Sequence, residues 1–211
     1  MGKLEDQGMS RFYSQAGQDE WISSLFEFKR EGYFLDVGAH NGIDINNTYF
    51  LEKELGWTGI CIEADPVIFR SLSSNRKCTC VNIAVSNQEG EISFLPDGFS
   101  GRESSSNGSI RIKTKSLREI LNDLNPPKVI DYLSLDIEGM ELKALMGFPF
   151  DEYEILAITV EHNLYTGKED YKREIKNFLE DKGYLIFREN IESQGSPFED
   201  WYINRIIKEK L

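Results

Sequence analysis

Acidic side chains recur where short apolar segments of this 211-residue chain end. Apolar segments of this length are typical of buried strands, and the carboxyl ends of parallel strands form one edge of a sheet. Carboxylates gathered there raise one another's pKa and cost stability, so their clustering favours a binding or catalytic site. The segments are residues 36–42, Glu63, residues 84–86, residues 136–138 and residues 161–163, and four of these five carry a carboxylate.

The first segment indicates what the site binds. Residues 33–37 predict a buried strand that enters a glycine turn, and Asn41 is expected to cap a helix from Ile43 to about residue 55. Such a turn lets a ligand approach backbone N–H groups at the positive end of a helix. A dinucleotide-binding turn would need glycine where His40 and Ile43 stand. The pattern instead suits a nucleoside without phosphates, such as S-adenosylmethionine, with an ordinary strand-to-helix turn as the alternative.

A second apolar segment, residues 58–63, ends in Glu63 and is followed by an amphipathic run from residue 67 to 72. A carboxylate about 20 residues after the glycine turn is where such units hydrogen-bond the ribose hydroxyls. Glu63 lies at this spacing. The two features together therefore favour a nucleoside site over an ordinary turn.

The amino-acid composition limits the kinds of partner that this chain is expected to bind. With 36 acidic against 24 basic side chains the net charge is −12, which argues against nucleic acid as a partner. The first ten residues are polar, unlike a secretory signal, and no run reaches the roughly 18 apolar residues of a membrane span. We therefore expect an intracellular, cytoplasmic protein with no membrane insertion.

Strand-like and helix-like segments alternate along the whole chain, with one strand expected over residues 77–85 and the last over residues 201–206. This alternation predicts an α/β domain over residues 1–211, with a mostly parallel sheet and helices on both faces. Residues 1–13 are expected to be flexible. Residues 97–109, rich in Gly and Ser, are expected to form a mobile loop on the acceptor side.

Several of these segments together resemble the FkbM family of S-adenosylmethionine-dependent methyltransferases. The resemblance rests on Ser14, Gln15, Gln18 and Asp19, and on residues 34–42 (FLDVGAHNG), 62–66 (IEADP) and 133–141 (LSLDIEGME). It implies the class I methyltransferase (Rossmann-like) sheet of seven strands with the last strand antiparallel. It also implies O-methylation of a sugar hydroxyl on a small-molecule or glycan acceptor, alongside glycosyltransferases. A catalytically inactive binding or interaction module with the same fold is the alternative.

The resemblance also assigns roles. Asp36, Gly38 and Gly42 would shape the cofactor turn, Glu63 would contact the ribose, and residues 84–86 would face the adenine. The full set expected to bind the cofactor is Gln15, Asp36, Gly38, Ala39, His40, Asn41, Gly42, Glu63, Ala64, Ala84 and Asp136.

Removal of a proton from a sugar hydroxyl needs a base or a metal ion. The candidate bases are Asp136, Glu138, Glu161 and His162. His162 is the first choice because the ordinary pKa of histidine lies nearest neutrality, although a packing or capping role is equally open. Alternatively, Asp136, Glu161 and Asn163 would hold Mg²⁺ or Mn²⁺, which would lower the pKa of the bound hydroxyl.

Overall fold

The computed structural model describes residues 12–98, 101–164, 167 and 169–208. In chain order the strands are β1 Tyr33–Val37, β2 Thr58–Glu63, β3 Thr79–Asn82, β4 Ala84–Ser86, β5 Gly90–Leu95, β6 Arg102–Glu103, β7 Ile110–Ser116, β8 Val129–Leu135, β9 Glu154–Glu161, β10 Tyr184–Ser193 and β11 Ser196–Asn204. The helices are α1 Gln18–Leu25, α2 Tyr49–Leu55, α3 Pro66–Asn75, α4 Leu117–Leu124, α5 Glu141–Met146, α6 Glu169–Asp181 and α7 Arg205–Lys208.

Seven strands form the main sheet in the order β10-β11-β9-β8-β1-β2-β3. β11 runs antiparallel to both of its neighbours, whereas β9, β8, β1, β2 and β3 pair in parallel. The central strands are apolar because both faces of the sheet are covered. The predicted fold class, including the antiparallel last strand, is confirmed.

Alternate residues of β1 point into different cores. Leu35 packs with side chains of α4, α5 and α6, including Leu121, whereas Phe34 packs with side chains of α1, α2 and α3, including Leu51. The period-two alternation of a strand thus joins two helical layers through one buried strand. No helix in the described part of the chain has the length and apolar character that a membrane crossing needs.

The single strand expected over residues 77–85 is wrong. The pairing of β3 with β2 ends at Asn82, whose amide donates to the Glu63 carbonyl (2.7 Å) and the Ala64 carbonyl (3.2 Å). After Ile83 the chain enters a second sheet, in the order β4-β7-β5-β6, that the sequence did not predict. Arg102 and Glu103, inside the predicted mobile loop, form β6 against β5, while residues 99 and 100 lie outside the described residues. The mobility of this loop stays a prediction.

Two other local predictions concern the start of the helix after the glycine turn and the flexibility of residues 1–13, and only the first is contradicted. The helix expected from Ile43 begins at Tyr49, because the Asn41 side chain accepts hydrogen bonds from the N–H groups of Ile43 and Asp44 (3.0 Å each) and so closes a turn. Of the expected flexible segment, residues 1–11 lie outside the described residues. Phe12 packs against Phe50, with ring centroids 4.5 Å apart, so the described end of that segment is anchored.

Candidate active site

A cleft of about 470 Å³ lies along the carboxyl ends of β1, β2, β8 and β9. The second sheet borders it on one side, and the turn between β10 and β11 borders it on the other. Of the residues predicted to bind the cofactor, those that line the cleft are Gln15, Asp36, Gly38, Ala39, His40, Glu63, Ala64, Ala84 and Asp136. Asn41 and Gly42 do not line it, since Gly42 packs against Arg76 and Leu72 on the far side of the turn.

The glycine turn is tied to the neighbouring strand. The N–H groups of Gly38 and Ala39 both donate to the Ile62 carbonyl (3.0 Å each), and the His40 N–H donates to Glu63 Oε2 (3.0 Å). The expectation that these N–H groups face a ligand is therefore wrong. Gly38 has φ +92°, and a Cβ placed on it would lie 1.7 Å from the Asp136 carbonyl oxygen. Glycine is needed here so that β1 and β8 can approach each other.

The buried Asp36 carboxylate anchors the segment that follows the glycine turn. It is 2% exposed, and its Oδ2 accepts hydrogen bonds from Thr48 Oγ1 (2.7 Å) and Asn46 Nδ2 (2.9 Å). Arg76, whose side chain is fully buried, donates to Asn46 Oδ1 and Thr48 Oγ1 (3.0 Å each) and pairs with Glu52. Burial raises the Asp36 pKa, although the Arg76 charge opposes that rise. This network fixes residues 44–47, which line the cleft.

Glu63 closes the end of β2 with its carboxylate in the cleft. Its two oxygens accept hydrogen bonds from the N–H groups of His40 (3.0 Å) and Asp65 (2.7 Å). Burial raises the pKa of Glu63 to about 7, although these two backbone hydrogen bonds lower it. The carboxylate is thus fixed in one orientation, and each oxygen keeps acceptor capacity for a ligand hydroxyl.

Three carboxyl groups meet at the ends of β8 and β9. Asp136, Glu138 and Glu161 each place an oxygen within 4.8 Å of the others. Burial raises the pKa of Asp136 to about 7, against a hydrogen bond with Glu161 that lowers it. Burial and the adjacent Asp136 charge raise the Glu161 pKa well above its ordinary value. The pKa values of both carboxyl groups are therefore raised, so the pair keeps a proton at pH values where two separate carboxyl groups would have lost theirs.

The backbone that carries Asp136 and Glu138 is held by a further acid. Glu141, 1% exposed, accepts hydrogen bonds from the N–H groups of Ile137 (2.9 Å) and Gly139 (3.1 Å) and from the Tyr171 hydroxyl (2.7 Å). This arrangement orients the carboxyl groups toward the cleft and keeps the left-handed backbone of Glu138, φ +55°, in place.

His162 and Asn163 do not line the cleft. The imidazole is 1% exposed, its Nδ1 accepts from the Leu164 N–H (3.2 Å), and its Nε2 lies 3.3 Å from Asp200 Oδ1. His162 therefore faces β11, and the geometry does not support it as the base. Asn163 donates from Nδ2 to Glu161 Oε2 (2.8 Å), so its amide orients that carboxyl group.

Residues 36–186 match the family model described as the methyltransferase FkbM domain. This chain belongs to the FkbM methyltransferase family. It is an S-adenosylmethionine-dependent methyltransferase, as its sequence motifs predicted. A comparison with curated protein sequences gives no match.

Solved structures of other methyltransferases resemble this FkbM protein in fold. They include precorrin-6y C5,15-methyltransferase from Geobacter metallireducens (14% identity, TM-score 0.51, 88% of this chain and 87% of that chain). A TehB-like SAM-dependent methyltransferase from Corynebacterium glutamicum is another (12%, 0.51, 92% and 89%). A third is the N-terminal domain of human METTL16 in complex with SAH (12%, 0.51, 93% and 72%). At these identities the likeness shows the class I methyltransferase fold alone.

The cleft of this FkbM methyltransferase fits S-adenosylmethionine. Its volume suits a ligand of that size, and the fixed Glu63 carboxylate offers acceptors for ribose hydroxyls. The cofactor itself supplies an activated methyl group on a sulfonium. Asn47 adds to the cleft a polar side chain that the sequence did not predict. Its Nδ2 donates to Ser134 Oγ (2.9 Å), and its buried Oδ1 has no hydrogen-bond partner among the described residues.

Sequence patterns missed Asn46, Asn47 and Arg76 for identifiable reasons. The two asparagines lie in the stretch expected to be helical. In an amphipathic helix a polar side chain is typical of the solvent-exposed face, so neither residue indicated a site. Arg76 ends α3, and its partners Asn46 and Thr48 are about thirty residues away in the chain. A basic residue at a helix end is typical of many exposed helices, so its type alone gave no signal.

Proposed function

We propose that this FkbM methyltransferase transfers the methyl group of S-adenosylmethionine to a hydroxyl of a sugar in a glycan or glycoconjugate, with Asp136 as the base. The observation that supports this most is the group of carboxyl oxygens of Asp136, Glu138 and Glu161 within 4.8 Å, in a cleft that also contains the Gly38 turn and Glu63.

A hydroxyl is a weak nucleophile and must lose its proton as it attacks. Bound S-adenosylmethionine would supply the methyl group, which the acceptor oxygen would take up as the carbon–sulfur bond breaks and its electron pair stays on the sulfur. The hydroxyl proton passes to Asp136, because its pKa of about 7 makes it a stronger base than an ordinary carboxylate. Glu161 would carry the proton that the pair keeps, donate it in a hydrogen bond to Asp136 and so hold that carboxylate in place.

The test uses methyl-labelled S-adenosylmethionine and a set of methyl glycosides, with base-stable label in the sugar as the readout. We expect Asp136→Asn to lower kcat about 10²- to 10⁴-fold, as removal of a general base does, with little change in S-adenosylhomocysteine affinity. His162→Gln, the matched control, is expected to keep most of kcat. A greater loss in His162→Gln than in Asp136→Asn would contradict the assignment of the base.

The alternative function, an inactive binding module, is distinguished by the same measurement. Such a module would bind S-adenosylhomocysteine in calorimetric titration and transfer no label. The adjacent carboxyl groups of Asp136 and Glu161 argue against it, because a scaffold gains nothing from two carboxyl groups that destabilise each other.

A divalent cation remains a separate hypothesis for the same acids. Asp136 and Glu161 could offer oxygen ligands, whereas Asn163, the third predicted ligand, turns its Nδ2 toward Glu161. If methyl transfer is retained after EDTA treatment, Asp136 keeps the role of the base. If methyl transfer is lost and Mg²⁺ restores it, the metal ion takes that role instead of Asp136. We also propose that the protein acts in the cytoplasm. There it would methylate its sugar acceptor alongside glycosyltransferases.

A further inference from the structure

We infer that the turn between β10 and β11, together with Gln15, forms the acceptor subsite, and that Gln194 selects acceptors with neutral hydroxyls beside the one that is methylated. This inference rests on the proposed function. It assigns the sugar to one end of the cleft and gives the recognition to carboxamide side chains.

The sheet order places the two ends of the cleft. Glu63 ends β2 on one side of β1, whereas β8, β9 and β11 follow on the other side, each about 4.8 Å further along. A cofactor with its ribose at Glu63 would place its sulfonium toward β1 and β8, where Asp136 lies. The acceptor must approach the methyl group from the remaining side, which leads to β9, β11 and the turn that joins β10 to β11.

The conformation of this turn is unusual for its sequence. Ser193 pairs with Ser196, and the two residues between them, Gln194 and Gly195, have φ of +52° and +77°. Two-residue turns with both φ positive favour Asn or Asp before Gly, because a short polar side chain tolerates the left-handed region. Glutamine lacks that advantage, and its amide reaches one methylene further. The exposed Gln194 lines the cleft.

Gln15 joins this turn to the segment before α1. Its Nε2 donates to Ser193 Oγ (2.7 Å), so the turn and the N-terminal segment form one wall. Behind it, the buried Gln18 donates to Glu199 Oε1 (3.0 Å), which also accepts from Trp201 Nε1 (2.5 Å). The wall is therefore preassembled on a rigid base.

Gln15 and Gln194, which line the cleft, both carry carboxamide side chains, whereas the carboxamide of Gln18 is already bonded to Glu199 and to the Ala16 N–H. A carboxamide donates and accepts hydrogen bonds without charge, as a sugar hydroxyl does. Phosphates and carboxylates are instead matched by Arg, Lys or helix N-termini. The subsite chemistry therefore fits a neutral polyol.

Gln194→Asn tests the inference, because it gives the turn its preferred residue and shortens the amide. We expect an unchanged or higher Tm, an unchanged S-adenosylhomocysteine Kd, and a KM for neutral methyl glycosides raised at least tenfold. The matched control is Gln88→Asn, in an exposed turn away from the cleft. The probes are methyl glycosides of neutral hexoses and 6-deoxyhexoses, and the corresponding uronic acids, with labelled S-adenosylmethionine.

Label transfer to neutral glycosides with the raised KM in Gln194→Asn alone supports the subsite. Transfer with an unchanged KM, a preference for uronic acids, or an equal loss of cofactor affinity would overturn it while leaving sugar methylation intact. Absence of label in every glycoside, with S-adenosylhomocysteine still bound, would overturn both the sugar assignment and the subsite.

Discussion

The carboxyl groups at the two ends of the cleft have different surroundings. At the β2 end, Glu63 has backbone N–H groups on both oxygens. At the β8 and β9 end, the carboxyl groups of Asp136 and Glu161 lie against each other, and burial raises the pKa of both. The first arrangement fixes an acceptor for hydrogen bonds, and the second holds a group ready to take up or release a proton. The proposed roles in binding and in proton transfer thus fall on separate strands of one sheet.

The largest effect is expected where the two ends join, at Gly38. Gly38→Ala brings a Cβ to 1.7 Å from the Asp136 carbonyl oxygen, so β1 and β8 must separate. We expect a loss of about 3 kcal/mol or more in unfolding free energy, together with loss of S-adenosylhomocysteine binding. Chemical denaturation measures the change in unfolding free energy. Gly56→Ala is the control, since Gly56 shares the positive φ and has nothing within 4 Å of an added Cβ. Equal effects of the two substitutions would contradict the explanation.

A smaller effect is expected at the β2 end alone. Glu63→Ala should weaken S-adenosylhomocysteine by about 1.5–3 kcal/mol, the range for hydrogen bonds to a charged group. Glu63→Gln keeps the shape and loses the charge, so its loss should be smaller. Calorimetric titration at pH 8, where Glu63 is ionised, checks both variants. If Glu63→Ala leaves the S-adenosylhomocysteine affinity unchanged, Glu63 does not bind the ribose. The proposed difference between the two ends of the cleft would then be wrong as well.

The effect that is smallest per pH unit concerns a buried acid behind the β9 end. Burial raises the pKa of Glu199 to about 8, so the folded protein keeps its proton between pH 5 and 8 whereas the unfolded chain has lost it. Stability contributed by this proton is present below the ordinary pKa and falls as pH rises, by up to about 1.4 kcal/mol per pH unit. We expect Glu199→Gln to make unfolding free energy less dependent on pH in this range. A slope equal to that of the wild type would show that Glu199 ionises normally.

The β2 end could be predicted from sequence because its signals are local. An apolar run that ends in Glu63, about 20 residues after a glycine turn, needs no knowledge of distant partners. The β9 end could not be predicted to the same depth. The place of His162 depends on its N–H bond to the Phe198 carbonyl (2.7 Å), and the choice of β11 as a partner is non-local. The division at Ile83 likewise depends on the pairing of β4 with β7, which lies 30 residues further along.

The glycine turn, bound to β2 through the N–H groups of Gly38, Ala39 and His40, has a thermodynamic consequence for the cofactor. A loop that becomes ordered only when its ligand arrives loses conformational entropy at that moment, and the affinity falls accordingly. Here that entropy is already lost when the chain folds. Cofactor association should therefore order few backbone torsions, and its heat capacity change should reflect the surface that the ligand buries and little coupled folding.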